Sequence, residues 1–217
     1  TGENLRDTHF DMVFSSPLKR AYETASLIVG GRDIPIVKND LIKEMCFGDW
    51  EGQNMSELLA DGGQDFQYFF KHPELYHPVG NGESFEELCQ RAARFMTEYV
   101  EPLSSKYSRI MIVAHGAINK AMMMHVKKHP LEDFWSGGLQ QNCNVILLRQ
   151  RIYDHRRDKN FLLDSIIKTK STVPASSMIQ PIMNVSGSVL SALPVSALLS
   201  YLRAYISVHY IFRLFSA

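Results

Sequence analysis

The sequence predicts an α/β domain of three layers, with helices on both faces of a mainly parallel sheet, and three observations predict it. Apolar runs suited to buried strands recur at Asp11 to Ser15, Arg109 to Ala114 and Val145 to Leu148. Stretches of helical period stand between them. The first two runs end at turn signals, Ser16-Pro17 and His115-Gly116, where a strand hands over to a helix.

Each element follows from its residues. After the first strand, Leu18, Ala21, Tyr22, Ala25, Ile28 and Val29 repeat at helical spacing; Ser16 suits the N-cap, Pro17 the first helical position, and Gly30-Gly31 the stop. Ile34 to Val37 returns to the sheet. From Leu41 to Asn81 the pattern is irregular, with aromatics and the breakers His72-Pro73 and His77-Pro78, and reads as a helical excursion with loops that covers a site. Ser84 and Glu87 then form a capping box for a helix whose apolar face is Phe85, Leu88, Cys89, Ala92, Phe95, Met96 and Tyr99. The strand from Arg109 is followed by a helix through Ala121, Met122 and Val126, and the last clear strand is Val145 to Leu148.

Composition narrows the function classes. The chain has 217 residues, 45% of them hydrophobic and 21% charged, which suits one folded domain with an appendage. Lys plus Arg equals Asp plus Glu at 23 each, so overall charge gives no pull toward nucleic acid or anionic membrane. Cys46, Cys89 and Cys143 are far apart and odd in number, which argues against a disulfide framework or a zinc site and for a reducing cytoplasm. Neither a metal nor a cofactor is called for.

Three places could carry chemistry. Ligands of parallel α/β sheets bind beyond the carboxyl ends of the strands. At Ser15-Ser16-Pro17-Leu18-Lys19-Arg20 a helix N-terminus offers free N–H groups to an anion, and Arg20 can add a bidentate guanidinium. The plainer reading, a capped helix with solvated Lys19 and Arg20, stays open on spacing alone. At Val113-Ala114-His115-Gly116, His115 ends a strand and Gly116 lets a ligand approach the backbone; a packed histidine is the alternative. Glu44, in Glu44-Met45-Cys46-Phe47-Gly48-Asp49-Trp50-Glu51-Gly52, lies beside apolar groups that can hold its proton to near neutral pH, unless the loop simply faces water.

Together, SSPLKRAYETA, EMCFGDWEG, GNGESFEEL with Arg91 downstream, and IVAHGAINK resemble the histidine phosphatase superfamily, the phosphoglycerate mutase-like group, in its usual motif order over roughly Thr1 to Leu163. The resemblance implies a phosphoglycerate mutase-like sandwich that hydrolyses small phosphomonoester metabolites through a phosphohistidine. It makes Arg20 a phosphate-binding arginine and Glu44 the acid that protonates the leaving oxygen. His115, with Gly116 beside it, matches the second histidine, which holds the phosphoryl group. Glu83 and Ser84 fall in the Gly-Glu-Ser stretch, where capping and substrate-side positioning are both open. Arg and His supply the positive charge that phosphoryl transfer needs without a metal.

The departure from the pattern is at the start. Family members begin with a strand ending in Arg-His-Gly, whose histidine is the nucleophile, and no Arg-His-Gly occurs in this chain. Thr1-Gly2-Glu3-Asn4 has no initiator Met. The expectation is a domain over 1–168 lacking its first βα unit, so that the centre of the sheet is absent and the chain as given is inactive. Mutase-type phosphoryl transfer and a non-catalytic anion-binding module are the alternatives.

From Ser171 onward there is no Asp or Glu, and Arg203 and Arg213 are the only Lys or Arg. Residues 169–217 are therefore read as a Ser-rich apolar tail outside the domain, making few contacts with its core. Val185 to Leu202 is just long enough to cross a bilayer but is interrupted by Pro194, so membrane contact is a secondary reading.

Overall fold

A computed structural model of the protein describes residues 2–53, 64–138, 145–151, 160–167 and 210–216. Six strands form one sheet: β1 (Met12–Ser15), β2 (Ile36–Lys38), β3 (Ile110–Ala114), β4 (Val145–Arg151), β5 (Asn160–Ile167) and β6 (Tyr210–Ser216). Among the described residues four α-helices accompany it: α1 (Lys19–Val29), α2 (Gln64–Lys71), α3 (Phe85–Phe95) and α4 (Gly116–Val126). The strand order is β2-β1-β3-β6-β4-β5. The pairs β2–β1, β1–β3 and β6–β4 are parallel, while β3–β6 and β4–β5 are antiparallel.

The alternation of side chains along the strands produces the layers. Met12, Phe14, Ile110, Ile112, Ala114, Ile146 and Leu148 pack with Phe85, Leu88, Ala92 and Phe95 of α3 and with Ala117, Ile118, Ala121 and Met122 of α4. Their neighbours Val13, Met111, Val113 and Val145 pack with Ala21, Ala25, Ile28 and Val29 of α1. Helices thus cover both faces. Phe85, fully buried, is the hub of an aromatic cluster with Phe69, Tyr76, Phe134 and Trp135, its ring 4.6 Å from that of Phe134.

Local signals operate as the sequence predicts at several ends. Ser84 and Glu87 close the capping box of α3, and Gly30, at φ 59°, ends α1 in a conformation that suits glycine. Asp11 fixes the entry to the sheet: its Oδ2 accepts N–H bonds from Ser108 at 2.8 Å and Arg109 at 2.7 Å, just before β3. Partial burial works against ionisation of Asp11, but these bonds outweigh it and hold its pKa below the usual value.

Two expectations need correction. The helix expected to be capped by Ser16 begins at Lys19, with Leu18 as the flanking residue, and Ser16 is engaged elsewhere. The centre of the sheet is not vacant, nor is the whole of 169–217 apart from it. Tyr210–Ser216 forms β6 and hydrogen-bonds to β3 on one side and β4 on the other, with Tyr210 beside Ala114 and Ile211 beside Val145. The physical reason is local: Tyr210, Ile211, Phe212, Leu214 and Phe215 favour an extended, pleated backbone, whereas the composition of the tail as a whole reflects the Ser-rich sequence upstream. Val185 to Leu202 lies outside the described residues. Among the described residues no helix is long and apolar enough to cross a membrane.

Candidate active site

The carboxyl ends of β1 and β3 lie side by side, because these strands pair in parallel with Ser15 opposite Val113. The chain therefore leaves the sheet at Ser16 and at His115 on the same edge. Arg20, in the first turn of α1, donates from Nε to Nδ1 of His115 at 3.2 Å. The other imidazole nitrogen, Nε2, lies 2.8 Å from Oγ of Ser16, and that oxygen also accepts the Leu18 N–H at 3.3 Å. His115 and Ser16 are completely buried.

Glu44 arrives from the loop between β2 and α2. Its Oε1 accepts N–H bonds from Ala117 at 3.2 Å and Ile118 at 3.3 Å, and from its own neighbour Met45 at 3.1 Å. The glutamate thereby caps α4 from a distant loop, using the orphan amides that His115, at the N-cap position, leaves unbonded. Although Glu44 is partly exposed as a residue, its Oε2 is buried without a hydrogen-bond partner. Burial pushes the carboxyl above its usual pKa, and the amides of Met45 and Ile118 and the charge of Arg20 only oppose that rise. One oxygen is held by amides and the other is enclosed, which is a suitable arrangement for holding and releasing a proton.

Arg20, Glu44, His115 and Gly116 are thus brought together: Gly116 opens α4 directly behind His115. Glu83 and Ser84 are employed differently. Ser84 caps α3, and Glu83 makes an ion pair with Arg91, Nε to Oε1 at 2.7 Å. Two contributors were given no role in the site by sequence reasoning. Ser16 looks like an ordinary cap, and only its place at a strand's carboxyl end hints at more. Arg91 gives a weaker signal still, since eight positions separate it from Glu83. Farther along α4, Lys120 is buried with Nζ 2.7 Å from the Ser136 carbonyl, and burial lowers its pKa.

Residues 1–159 match the family described as Histidine phosphatase superfamily (branch 1). The chain belongs to the histidine phosphatase superfamily. A 2,3-bisphosphoglycerate-dependent phosphoglycerate mutase of Cytophaga hutchinsonii is 38% identical over 131 residues, 59% of this chain and 61% of the mutase. An adenosylcobalamin/alpha-ribazole phosphatase of Escherichia coli is 29% identical over 139 residues, 64% of this chain and 67% of that protein. The chain thus spans about three-fifths to two-thirds of the curated relatives it matches. Among solved structures, YhfR of Bacillus stearothermophilus superposes with a TM-score of 0.56 at 32% identity, over 62% of this chain and 65% of that one. A mycobacterial glucosyl-3-phosphoglycerate phosphatase, at 24% identity and a TM-score of 0.58 over 66% of this chain and 69% of that one, shares the fold. The activities named among these relatives are those of phosphatases and a mutase, and the α/β sandwich is shared with the solved structures.

Proposed function

We propose that this chain carries the phosphate-handling half of a phosphomonoester-hydrolysing site that works through a phosphohistidine. The observation that supports it best is the meeting of Arg20 with His115 at 3.2 Å, beside a Glu44 carboxyl held by the first turn of α4. Arg20 offers its guanidinium to an anion, with the His115 imidazole directly behind it, and Glu44 stores the proton that a leaving oxygen needs. In the reaction a histidine nitrogen bonds to phosphorus as the P–O ester bond breaks, and Glu44 protonates the departing oxygen. The ionised Glu44 then takes a proton from the water that attacks the phosphohistidine, which frees phosphate and restores both groups.

The nucleophile is the part for which the 217 residues contain no Arg-His-Gly. The chain as given is therefore proposed to bind the phosphoryl group without turnover. The substrate class is a small phosphorylated metabolite rather than nucleic acid, and the free thiols of Cys46 and Cys89 suit a reducing, cytoplasmic setting.

Orthovanadate, which mimics the pentacoordinate phosphoryl group, tests this reading in an amide NMR titration. The expected result is perturbation of the Leu18 to Arg20 and Gly116 to Ile118 amides, with no hydrolysis of p-nitrophenyl phosphate. Perturbation confined to other parts of the chain would refute the site. Hydrolysis that is lost in His115→Ala would refute the inactivity. A mutase-type transfer is the second reading, favoured by the 38% identity to the Cytophaga enzyme. On that reading 2,3-bisphosphoglycerate displaces vanadate far better than inorganic phosphate does; equal displacement favours the phosphatase.

A further inference from the structure

Glu44 has no strand or helix of its own to hold it. It sits in a loop, and the carboxyl reaches the first turn of α4 only if that loop is fixed. The structure contains such a fixture on α3. All five N–H groups of the Arg91 guanidinium have acceptors: Nε and Nη2 donate to the two Glu83 oxygens at 2.7 Å each, Nη1 to the carbonyls of Leu41 at 2.7 Å and Lys43 at 2.8 Å, and Nη2 to the Glu44 carbonyl at 3.5 Å. The loop is tied from its other side as well, since Glu83 donates its backbone N–H to the Cys46 carbonyl at 2.8 Å.

We propose that Arg91 is a positioning residue for Glu44, its guanidinium clamping the 41–44 backbone so that the Glu44 carboxyl meets the amides of Ala117 and Ile118. This inference rests on the reading of Glu44 as the proton donor. The bidentate pair with Glu83 balances the charge of Arg91, so the clamp acts through geometry rather than by pressing a positive charge on Glu44. Both partners are mostly enclosed, with side-chain exposures of 18% and 15%, which screens the pair less than a surface one. The support is itself anchored: α3 begins at a capping box, and its apolar face is buried against the same sheet face as α4. Lysine at 91 would keep the charge but not the planar fork of donors, so it is not a conservative replacement.

The groups facing the Glu44 carboxyl are Arg20 and the amides of Met45, Gly116, Ala117 and Ile118, with the Arg91–Glu83 pair behind the loop. None of them but Arg91 changes in Arg91→Lys. The test is a ¹³C NMR titration of the Glu44 carboxyl, assigned by its loss in Glu44→Gln, in wild type and in Arg91→Lys, with core methyl spectra to verify the fold. Loosening the loop admits water, so the Glu44 titration is expected to move down toward the ordinary glutamate value. The same titration in wild type and folded variant would overturn the proposal. Should Arg91→Lys fail to fold, the double variant Glu83→Gln/Arg91→Met removes both charges together and is read in the same way: a downward shift supports the clamp and an unchanged titration overturns it. The titration needs neither phosphate nor turnover. A shift without vanadate binding would therefore leave the clamp standing and the proposed function refuted; vanadate binding without a shift would do the reverse.

Discussion

Arg20 and His115 lie 95 positions apart in sequence, and the guanidinium of the first donates to Nδ1 of the second. That contact fixes the imidazole: with Nδ1 accepting, Nε2 carries the hydrogen and donates to Ser16 Oγ. A chain of donors thus runs from the half-buried arginine inward to a buried serine. It orients the one ring that both the strand end and the helix start would present to an anion.

The Ser16 hydroxyl is the terminus of that chain. In Ser16→Ala the buried Nε2–H of His115 and the Leu18 amide both lose their acceptor. Losing a buried hydrogen-bond partner costs about 1–3 kcal/mol. Urea unfolding of the variant should show a loss of that size, with the slope unchanged.

The titration of Glu44 gives a prediction with a definite sign. Its folded pKa is raised above 4.5 by burial, so the stability it contributes is complete below about 4.5 and is lost as pH rises through the folded value. Glutamine does not titrate and retains an oxygen for the Ala117 and Ile118 amides. Glu44→Gln should therefore gain on the wild type as pH is raised through that window. Melting temperatures measured from pH 4 to 9 check this; a constant difference across the range would show that Glu44 titrates normally.

Gly48 holds the loop that bears Glu44 against the turn before α3. Its φ is 59°, and a Cβ there would collide with the Val79 carbonyl oxygen and the Gly82 nitrogen, both backbone atoms that cannot swing aside. Gly48→Ala is expected to cost on the order of 2–5 kcal/mol, combining left-handed strain with overpacking. Chemical denaturation measures the loss.

Much of the sandwich was legible in the sequence because its signals are local. Apolar runs at Met12–Ser15 and Ile110–Ala114 mark strands on their own, and Ser84 with Glu87 marks a helix start within four residues. The approach of Arg20, Glu44 and His115 was readable only through motif resemblance, since nothing in their spacing specifies a parallel pairing of β1 and β3. What escaped are features that depend on tertiary neighbours. Ser16 looked like a cap because caps and strand-end serines are identical in sequence. Arg91 entered only as part of the motif resemblance, with no role attached, and only the fold brings the Leu41 and Lys43 carbonyls to its side chain. The strand Tyr210–Ser216 was masked by the composition of the residues before it, although its own residues favour a pleated conformation.

The central claim is that Arg20 and His115 together form a site for a phosphoryl anion. Calorimetric titration of inorganic phosphate into the 217-residue chain and into Arg20→Ala tests it most directly. Charge-assisted bonds to an anion contribute about 1.5–3 kcal/mol, so Arg20→Ala should weaken phosphate by roughly tenfold to a hundredfold, with core methyl spectra verifying that the variant is folded. Equal phosphate affinity in the two proteins would contradict the account.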